Sequence, residues 1–425
     1  MSTKLQAIRG MHDILPDDTP LWRKTENIIS GILLDYGYSE IRLPVVEKTE
    51  LFARSIGDTT DIVSKEMYTF PDRNRDLLTL RPEGTAGCVR AVLEHGLIHN
   101  QVRKLWYSGP MFRHERPQKG RQRQFHQAGM EVFGLSGPDI DAELIVICKR
   151  IWDALGINQL TLELNTLANR AARETYKREL TEYFSAYRDK LDEDSWNRLQ
   201  VNPLRLLDSK DPELQNLAQS APGILDFLDD ESAEHFNELR SILDSLDICY
   251  KVNPFLVRGL DYYGKTVFEW TTTALGAQGT VCAGGRYDGL VEHFGGKSTP
   301  AIGCAIGMER LVELVNQAGN IQPQQEQPQV YMVIANAADF KNALNLAESL
   351  RNQLDGLRLT LHSGGGGLKS QFKKADKSGA LLALIIGQDE LARGTVSVKF
   401  LRDESDQVDV PIAELSAFLG KSLTL

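Results

Sequence analysis

The 425-residue chain contains no apolar run approaching the roughly 20 residues needed to span a bilayer, and its opening, MSTKLQAIRGMHD, lacks the apolar core of a secretory signal. Membrane insertion and secretion are therefore not expected. Cysteine is scarce. The five present, Cys88, Cys148, Cys249, Cys282 and Cys304, lie far apart with no CxxC. An odd, scattered set argues against a disulfide framework and against a zinc site, and points to a reducing cytoplasm. Positive charge is also in deficit, with 48 Lys and Arg against 58 Asp and Glu and a net charge of −10. There is thus no general pull on nucleic acid, and any such binding must use local basic patches. Nucleotide fingerprints are wanting too: Ala283–Gly289, AGGRYDG, is not GxGxxG, and no P-loop is expected.

What is present is the composition of a globular protein, 42% hydrophobic and 25% charged with mean hydropathy −0.29. This length suggests two or three domains. The richest stretch is 105–134, LWYSGPMFRHERPQKGRQRQFHQAGMEVFG. Two apolar, aromatic-rich runs flank a polar middle, the pattern of two antiparallel strands joined by a long loop. Arg113 to Arg123 holds five Lys or Arg and one Glu, a local charge of +4 within an acidic chain. Period-two alternation in the second run places Phe125, Gln127, Gly129, Glu131 and Phe133 on one face. A buried carboxylate is costly unless partnered, so this face suits a polar ligand. Arg113 suits an anion, and Phe125 suits a flat ring.

Along the chain, 21–36 reads as a helix and 38–44 as a strand stopped by Pro44. Short strands are expected at 67–70 and 77–80. The turn Arg81–Ala86, RPEGTA, precedes a helix over 85–95. Glu83 at that turn either caps the helix or receives a substrate amine. A helix over 141–155 and a strand over 160–164 lead into a charged, helix-rich segment of about 168–248 that looks inserted. Strand texture returns at 249–253. The run 256–270, LVRGLDYYGKTVFEW, sets Arg258 four residues from Tyr262 beside Tyr263, on one face if extended. In 301–315 a small-residue strand turns through Gly307 into a helix whose first turn carries Arg310. A cation there opposes the helix dipole, which suggests contact with an anion or a ring. The Gln/Pro-rich 316–329 reads as a linker. From 330 onward strands alternate with helices, as in a small α/β domain with a mostly parallel sheet. Its helix after Gly364–Gly367 is rich in lysine, either a solvated face or a hold on a nucleic-acid backbone.

These stretches resemble the histidyl-tRNA synthetases, class II aminoacyl-tRNA synthetases of the bacterial type, nearly end to end. Gly37–Pro44 looks like motif 1. Phe112–Glu115 with the basic loop and Phe125–Gly134 looks like motif 2, and Gly303–Leu311 like motif 3. LVRGLDYY at 256–263 and AGGRYDG at 283–289 look like the two histidine-specific signatures. The resemblance implies an α+β catalytic domain over 1–322, an antiparallel sheet flanked by helices, with a helical insertion. It further implies a linker at 323–329 and an α/β anticodon-binding domain over 330–425. The implied reaction joins L-histidine to tRNA(His) through histidyl-adenylate, using ATP with Mg2+ and no dedicated protein ligands for the metal, in a cytoplasmic homodimer.

Site residues follow from the same resemblance. Arg113 and Arg258 are the expected catalytic pair. Glu83, Gly84, Thr85, Gln127, Glu131, Arg258, Tyr262 and Tyr263 are expected around histidine. Arg113, Glu115, Phe125 and Arg310 are expected around ATP, with adenine between Phe125 and Arg310. Arg116, Gln118, Arg121 and Arg123 are expected to meet the tRNA acceptor end, Gln118 reading its first bases. Two alternatives remain: a regulatory paralogue of histidine biosynthesis, a kind that lacks the anticodon domain and loses motif residues, and a non-enzymatic RNA-binding module using the C-terminal Gly/Lys segment.

Overall fold

The strands Arg103–Phe112 and Gln124–Phe133 pair antiparallel along their whole length, with Arg103 opposite Phe133 and Phe112 opposite Gln124. The coordinates are a computed structural model that describes every residue except 1–3, 58, 59, 61, 208, 210, 261, 277, 278, 323–325 and 425. Part of the expected linker, 323–325, thus lies outside the described residues.

Around this hairpin an eight-stranded sheet is built. From the hairpin's second strand it continues through Ala301–Gly307, Thr280–Arg286, Gly264–Thr271 and Thr161–Thr166, every pairing antiparallel. Only the two outermost strands, Ser39–Glu40 and Tyr250–Val252, join in parallel. One face packs against the helices Thr19–Asp35, Pro138–Ala154 and Met308–Ala318 through Leu33, Met130, Leu144, Ile151, Ile306 and Leu311, all buried. The other face carries Gln127, Glu131, Gly303 and Ala305, flanked by Leu105, Phe133 and Val267, which pack in a second core with Val89 and Val92.

Two expected strands are shorter than the sequence suggests. The 38–44 run pairs only at Ser39–Glu40. Beyond it the carbonyl of Leu43 is taken by the buried Arg81 guanidinium at 2.9 Å, so it is not offered to a neighbouring strand. The 256–270 run is extended only from Gly264. Before that, Asn165 Nδ2 donates to the carbonyls of Pro254 and Leu256 at 3.2 and 3.0 Å, and the Asn253 side chain accepts the Phe255 N–H. Side-chain hydrogen bonds here replace ladder bonds.

Between Arg170 and Ser245 lie the helices Arg170–Ser185, Glu193–Val201, Pro212–Gln219 and Asp230–Ser245. Each is started by a side-chain cap, from Asn169, Asp192, Asp211 and Asp229 respectively. The first three enclose their own core of Tyr176, Leu180, Phe184, Leu199 and Leu214, whereas the fourth packs Phe236, Leu239 and Leu243 into the core beside the large sheet.

The chain divides into two compact units, Met1–Pro323 and Gln324–Leu425. The second has a five-stranded sheet in the order Leu359–Leu361, Val330–Ile334, Leu382–Ile386, Thr395–Phe400, Val408–Pro411. The first three strands are parallel and the last two antiparallel, so the expected mostly parallel sheet is mixed. The Val408–Pro411 strand escaped the sequence reading because it is a mostly exposed edge with one buried residue, Val410. Among the described residues no helix is long and apolar enough to cross a membrane.

One glycine decides whether the sheet can close. A Cβ on Gly303 would lie 1.7 Å from Glu131 Oε2 and 2.7 Å from the Met130 carbonyl. Replacing it therefore forces the strands apart. Gly303→Ala is expected to cost about 3 kcal/mol, the upper range for overpacking, measured as a fall in unfolding free energy in urea. A stability equal to wild type would contradict this packing.

Candidate active site

The strand register sorts the sheet residues by face. Gln127, Gly129 and Glu131 sit opposite Gly307, Ala305 and Gly303, and Gly303 and Ala305 in turn sit opposite Gly285 and Ala283. Small residues on this face leave room above the sheet. A cavity of about 730 Å³ opens there. Its wall includes Glu83, Thr85, Arg113, Glu115, Arg121, Phe125, Gln127, Arg258, Tyr262, Tyr263 and Arg310, brought together from four separate stretches of chain.

Glu131 is fully buried behind this wall. Its carboxyl accepts hydrogen bonds from Thr85 Oγ1 at 2.7 Å, Tyr107 OH at 3.0 Å and Tyr287 OH at 2.5 Å. Burial pushes its pKa up to about 8 despite these donors, which pull the other way. Tyr107 reaches it only because two positions facing the ring are glycine: a Cβ on Gly84 would lie 2.1 Å from the ring, and one on Gly129 2.2 Å from it. Gly84 is thus placed by Tyr107 packing, at the N-cap of the helix Thr85–Glu94.

Glu83 accepts the backbone N–H groups of Thr85 at 2.5 Å and Ala86 at 2.9 Å. The capping role is present, and the carboxylate also faces the cavity. Burial pushes its pKa up, against those two N–H donors. Gln127 Oε1 is buried and has no hydrogen-bond partner among the described residues. The same is true of Arg258 Nε. Buried polar atoms left this way on a cavity wall suit a polar ligand.

Arg258 forms an ion pair with Glu269, whose other oxygen accepts from Thr280 Oγ1 at 2.9 Å. Its guanidinium lies 5.7 Å from the Tyr263 ring, and Tyr262 stacks on Tyr263 with centroids 4.6 Å apart. Arg113 donates Nε to the Pro82 carbonyl at 2.9 Å and stands 5.3 Å from the Phe125 ring. Arg310 donates to the carbonyls of Gly120 at 2.9 Å and Thr280 at 2.5 Å, tying the hairpin tip to the Thr280–Arg286 strand.

The tip itself is ordered by backbone bonds. Arg113 N–H donates to the Arg123 carbonyl at 2.9 Å, and Gln118 and Arg121 bridge each other. Arg121 pairs with Glu115 on the cavity wall. Arg123 donates Nε to the Glu115 carbonyl at 3.1 Å. Arg116 and Gln118 are exposed. The structure thus splits the four expected tRNA contacts: Arg116 and Gln118 point outward, whereas Arg121 and Arg123 brace the loop.

Several site residues were missed in the sequence. Tyr107 and Tyr287 hold Glu131, Glu269 holds Arg258, and Glu309 accepts the His126 backbone N–H at 2.9 Å and faces its Nδ1 at the same distance. Pairing Tyr107 with Gly129 was accessible from the hairpin register. Arg198 and Arg205 of the inserted helices also line the cavity, for which no local signal exists.

A P-loop spacing does occur after all, GLDYYGKT at 259–266. Its setting is wrong, because Gly264 opens a strand rather than a helix, and Lys265 pairs with Glu231 at 2.6 Å.

The buried carboxyl generates a pH prediction. Glu131 with a pKa of about 8 in the fold and an ordinary carboxyl value when unfolded favours folding below the unfolded value. That contribution is lost as pH rises toward 8. Glu131→Gln removes the titrating group. The unfolding free energy of wild type should therefore fall relative to the Gln variant between about pH 5 and 8, by a few kcal/mol. Parallel pH curves for the two proteins would refute a raised pKa.

The chain matches the family model for histidyl-tRNA synthetase over residues 10–311 and that for an anticodon binding domain over 329–422. Its fold is similar to that of apo histidyl-tRNA synthetase from S. aureus, with TM-score 0.82 and 33% identity, covering 98% of this chain and 99% of that one. Histidyl-tRNA synthetase from Nostoc sp. PCC 7120 shares the fold at TM-score 0.66 and 21% identity, covering 99% of this chain and 100% of that one. So does an ATP phosphoribosyltransferase regulatory subunit/histidyl-tRNA synthetase from Bacillus halodurans, at TM-score 0.63 and 20% identity, over 88% of this chain and 97% of that one. The match over most of the length, joined to the cavity geometry, places the chain in the histidyl-tRNA synthetase family of ATP-dependent aminoacyl-tRNA ligases.

Proposed function

We propose that the chain activates L-histidine with ATP, giving histidyl-adenylate and pyrophosphate, and then transfers histidine to the 3′ end of tRNA(His). The observation that carries this reading is the cavity wall itself. Unpartnered Gln127 Oε1 and Arg258 Nε meet there with Glu83, Arg113 and a tyrosine pair, which is a set of complements for an amine, an anion and a ring.

In activation, a histidine carboxylate oxygen attacks the α-phosphorus and the bond to pyrophosphate breaks. Charge builds on the α-phosphoryl oxygens, and Arg113 and Arg258 supply fixed positive charge beside it. Glu83 and Gln127 take the α-ammonium. Tyr262 and Tyr263 frame the imidazole. Glu131 acts through Tyr107, Tyr287 and Thr85, whose hydroxyls it orients. Phe125 and Arg310 take adenine, and Glu115 sets Arg121 near the phosphates. The four cavity carboxylates, Glu83, Glu115, Glu269 and Glu309, are each bonded to protein partners. That donor set fits magnesium held mainly by nucleotide phosphates and water, where the ion offsets phosphate charge.

In transfer, the terminal ribose hydroxyl of tRNA attacks the acyl carbon and AMP leaves. Arg116 and Gln118, exposed at the hairpin tip, meet the acceptor end, and the second unit takes the anticodon. The protein acts as a cytoplasmic homodimer. The anticodon-binding domain match over 329–422 favours a synthetase over the shorter regulatory paralogues.

Histidine-dependent exchange of labelled pyrophosphate into ATP, without tRNA, tests the reading. Exchange is expected with histidine and not with other amino acids. Absence of exchange from folded, ATP-binding protein would defeat the proposal. Arg258→Ala should lower the exchange rate by about 10²-fold or more while histidine still binds, measured by calorimetry. Unchanged turnover in that variant would remove Arg258 from its role.

A further inference from the structure

Three of the five cysteines, far apart in sequence, converge in space. Cys148 comes from the helix Pro138–Ala154, Cys282 from the strand Thr280–Arg286 and Cys304 from the strand Ala301–Gly307. All three are buried in the core cluster with Met130, Ile306 and Phe268. The Cys148 sulfur is 3.7 Å from that of Cys282 and 3.9 Å from that of Cys304, and all three lie within 4.8 Å of one another. Cys282 and Cys304 also line the active-site cavity, so the cluster lies directly behind its floor.

Three thiolates holding one ion at about 2.3 Å in tetrahedral directions stand about 3.8 Å apart. The two observed separations bracket that value. Packed thiols also touch at such distances, but chance packing has no reason to bring three sulfurs from three elements to one point.

We propose that Cys148, Cys282 and Cys304 form a three-sulfur binding site for a soft divalent cation of the zinc and cadmium kind. Binding replaces the S–H protons of the cluster, which pass to solvent, with three sulfur–metal bonds. No oxidation state changes. The next residues in the two strands, Ala283 and Ala305, belong to the cavity floor. Occupation of the site is therefore coupled to the shape of that floor.

The test is titration of the full chain with cadmium in oxygen-free, thiol-free buffer, followed by ultraviolet thiolate-to-cadmium charge transfer. The expected result is one cadmium per chain with proton release. The band should be lost in Cys148→Ala and in Cys304→Ala and kept in Cys249→Ser, which alters an exposed cysteine. Cys148→Ser, close in size, replaces Cys148→Ala if the latter does not fold. No band in wild type, a band that survives loss of Cys148, or a band that vanishes in Cys249→Ser would each overturn the site.

Discussion

The catalytic unit is organised around a carboxyl group that pairs with no cation among the described residues. Glu131 is fully buried and is held by three hydroxyls and by the absence of a side chain on Gly303. Those hydroxyls come from the start of the helix Thr85–Glu94, from the first hairpin strand and from the turn after Thr280–Arg286. One group thus fixes four elements against each other. A buried, unpaired carboxylate is costly, and the fold answers by protonation and hydrogen bonding rather than with an arginine. An arginine beside Glu131 would use the charge that the cavity needs above it.

The opposite face of the same sheet uses the contrary solution. Arg286 and Asp141, both fully buried, pair at 2.7 Å, and His235 Nε2 lies 2.8 Å from the same carboxylate. This network joins the strand Thr280–Arg286 to the helix Pro138–Ala154 and to the last inserted helix, Asp230–Ser245. Buried ion pairs add little net stability against apolar replacements, but they admit few alternative geometries. Within AGGRYDG, Arg286 serves the helix face and Tyr287 the Glu131 cluster. A stretch read as one pocket signature is in fact divided between two sides of the sheet.

Period-two alternation in 124–133 placed Gln127 and Glu131 on one face, and the paired strands confirm the assignment. Local pattern sufficed there because a half-buried strand repeats its environment every second residue. At 256–263, where one shared face requires an extended chain, no strand forms, and Asn165, far along the chain, binds the carbonyls of Pro254 and Leu256. Spacing also gave no sign that Cys148, Cys282 and Cys304 meet, because they come from three elements of a tertiary core. Resemblance of the quoted motifs reached the antiparallel order and the residues of the cavity wall. The residues it left out, Tyr107, Glu269, Arg198 and Arg205, touch other side chains or enter from the insertion, which no local motif encodes.

Burial acts on the cavity's acids and bases in opposite senses, with unequal consequences. Burial pushes Glu83 up, against the N–H donors of Ala86 and Thr85 and the charge of Arg113. Burial pushes Arg113 and Arg310 down, yet a guanidinium does not lose its proton in proteins. Arg258 is raised instead: burial lowers it, but Glu269, Tyr263 and Tyr262 together outweigh that. Six arginines and four glutamates line the cavity. Formal charge alone makes it positive. A chain of net charge −10 thereby keeps a positive chamber for a polyanion. Partly buried charges of this kind are screened less by salt than exposed ones.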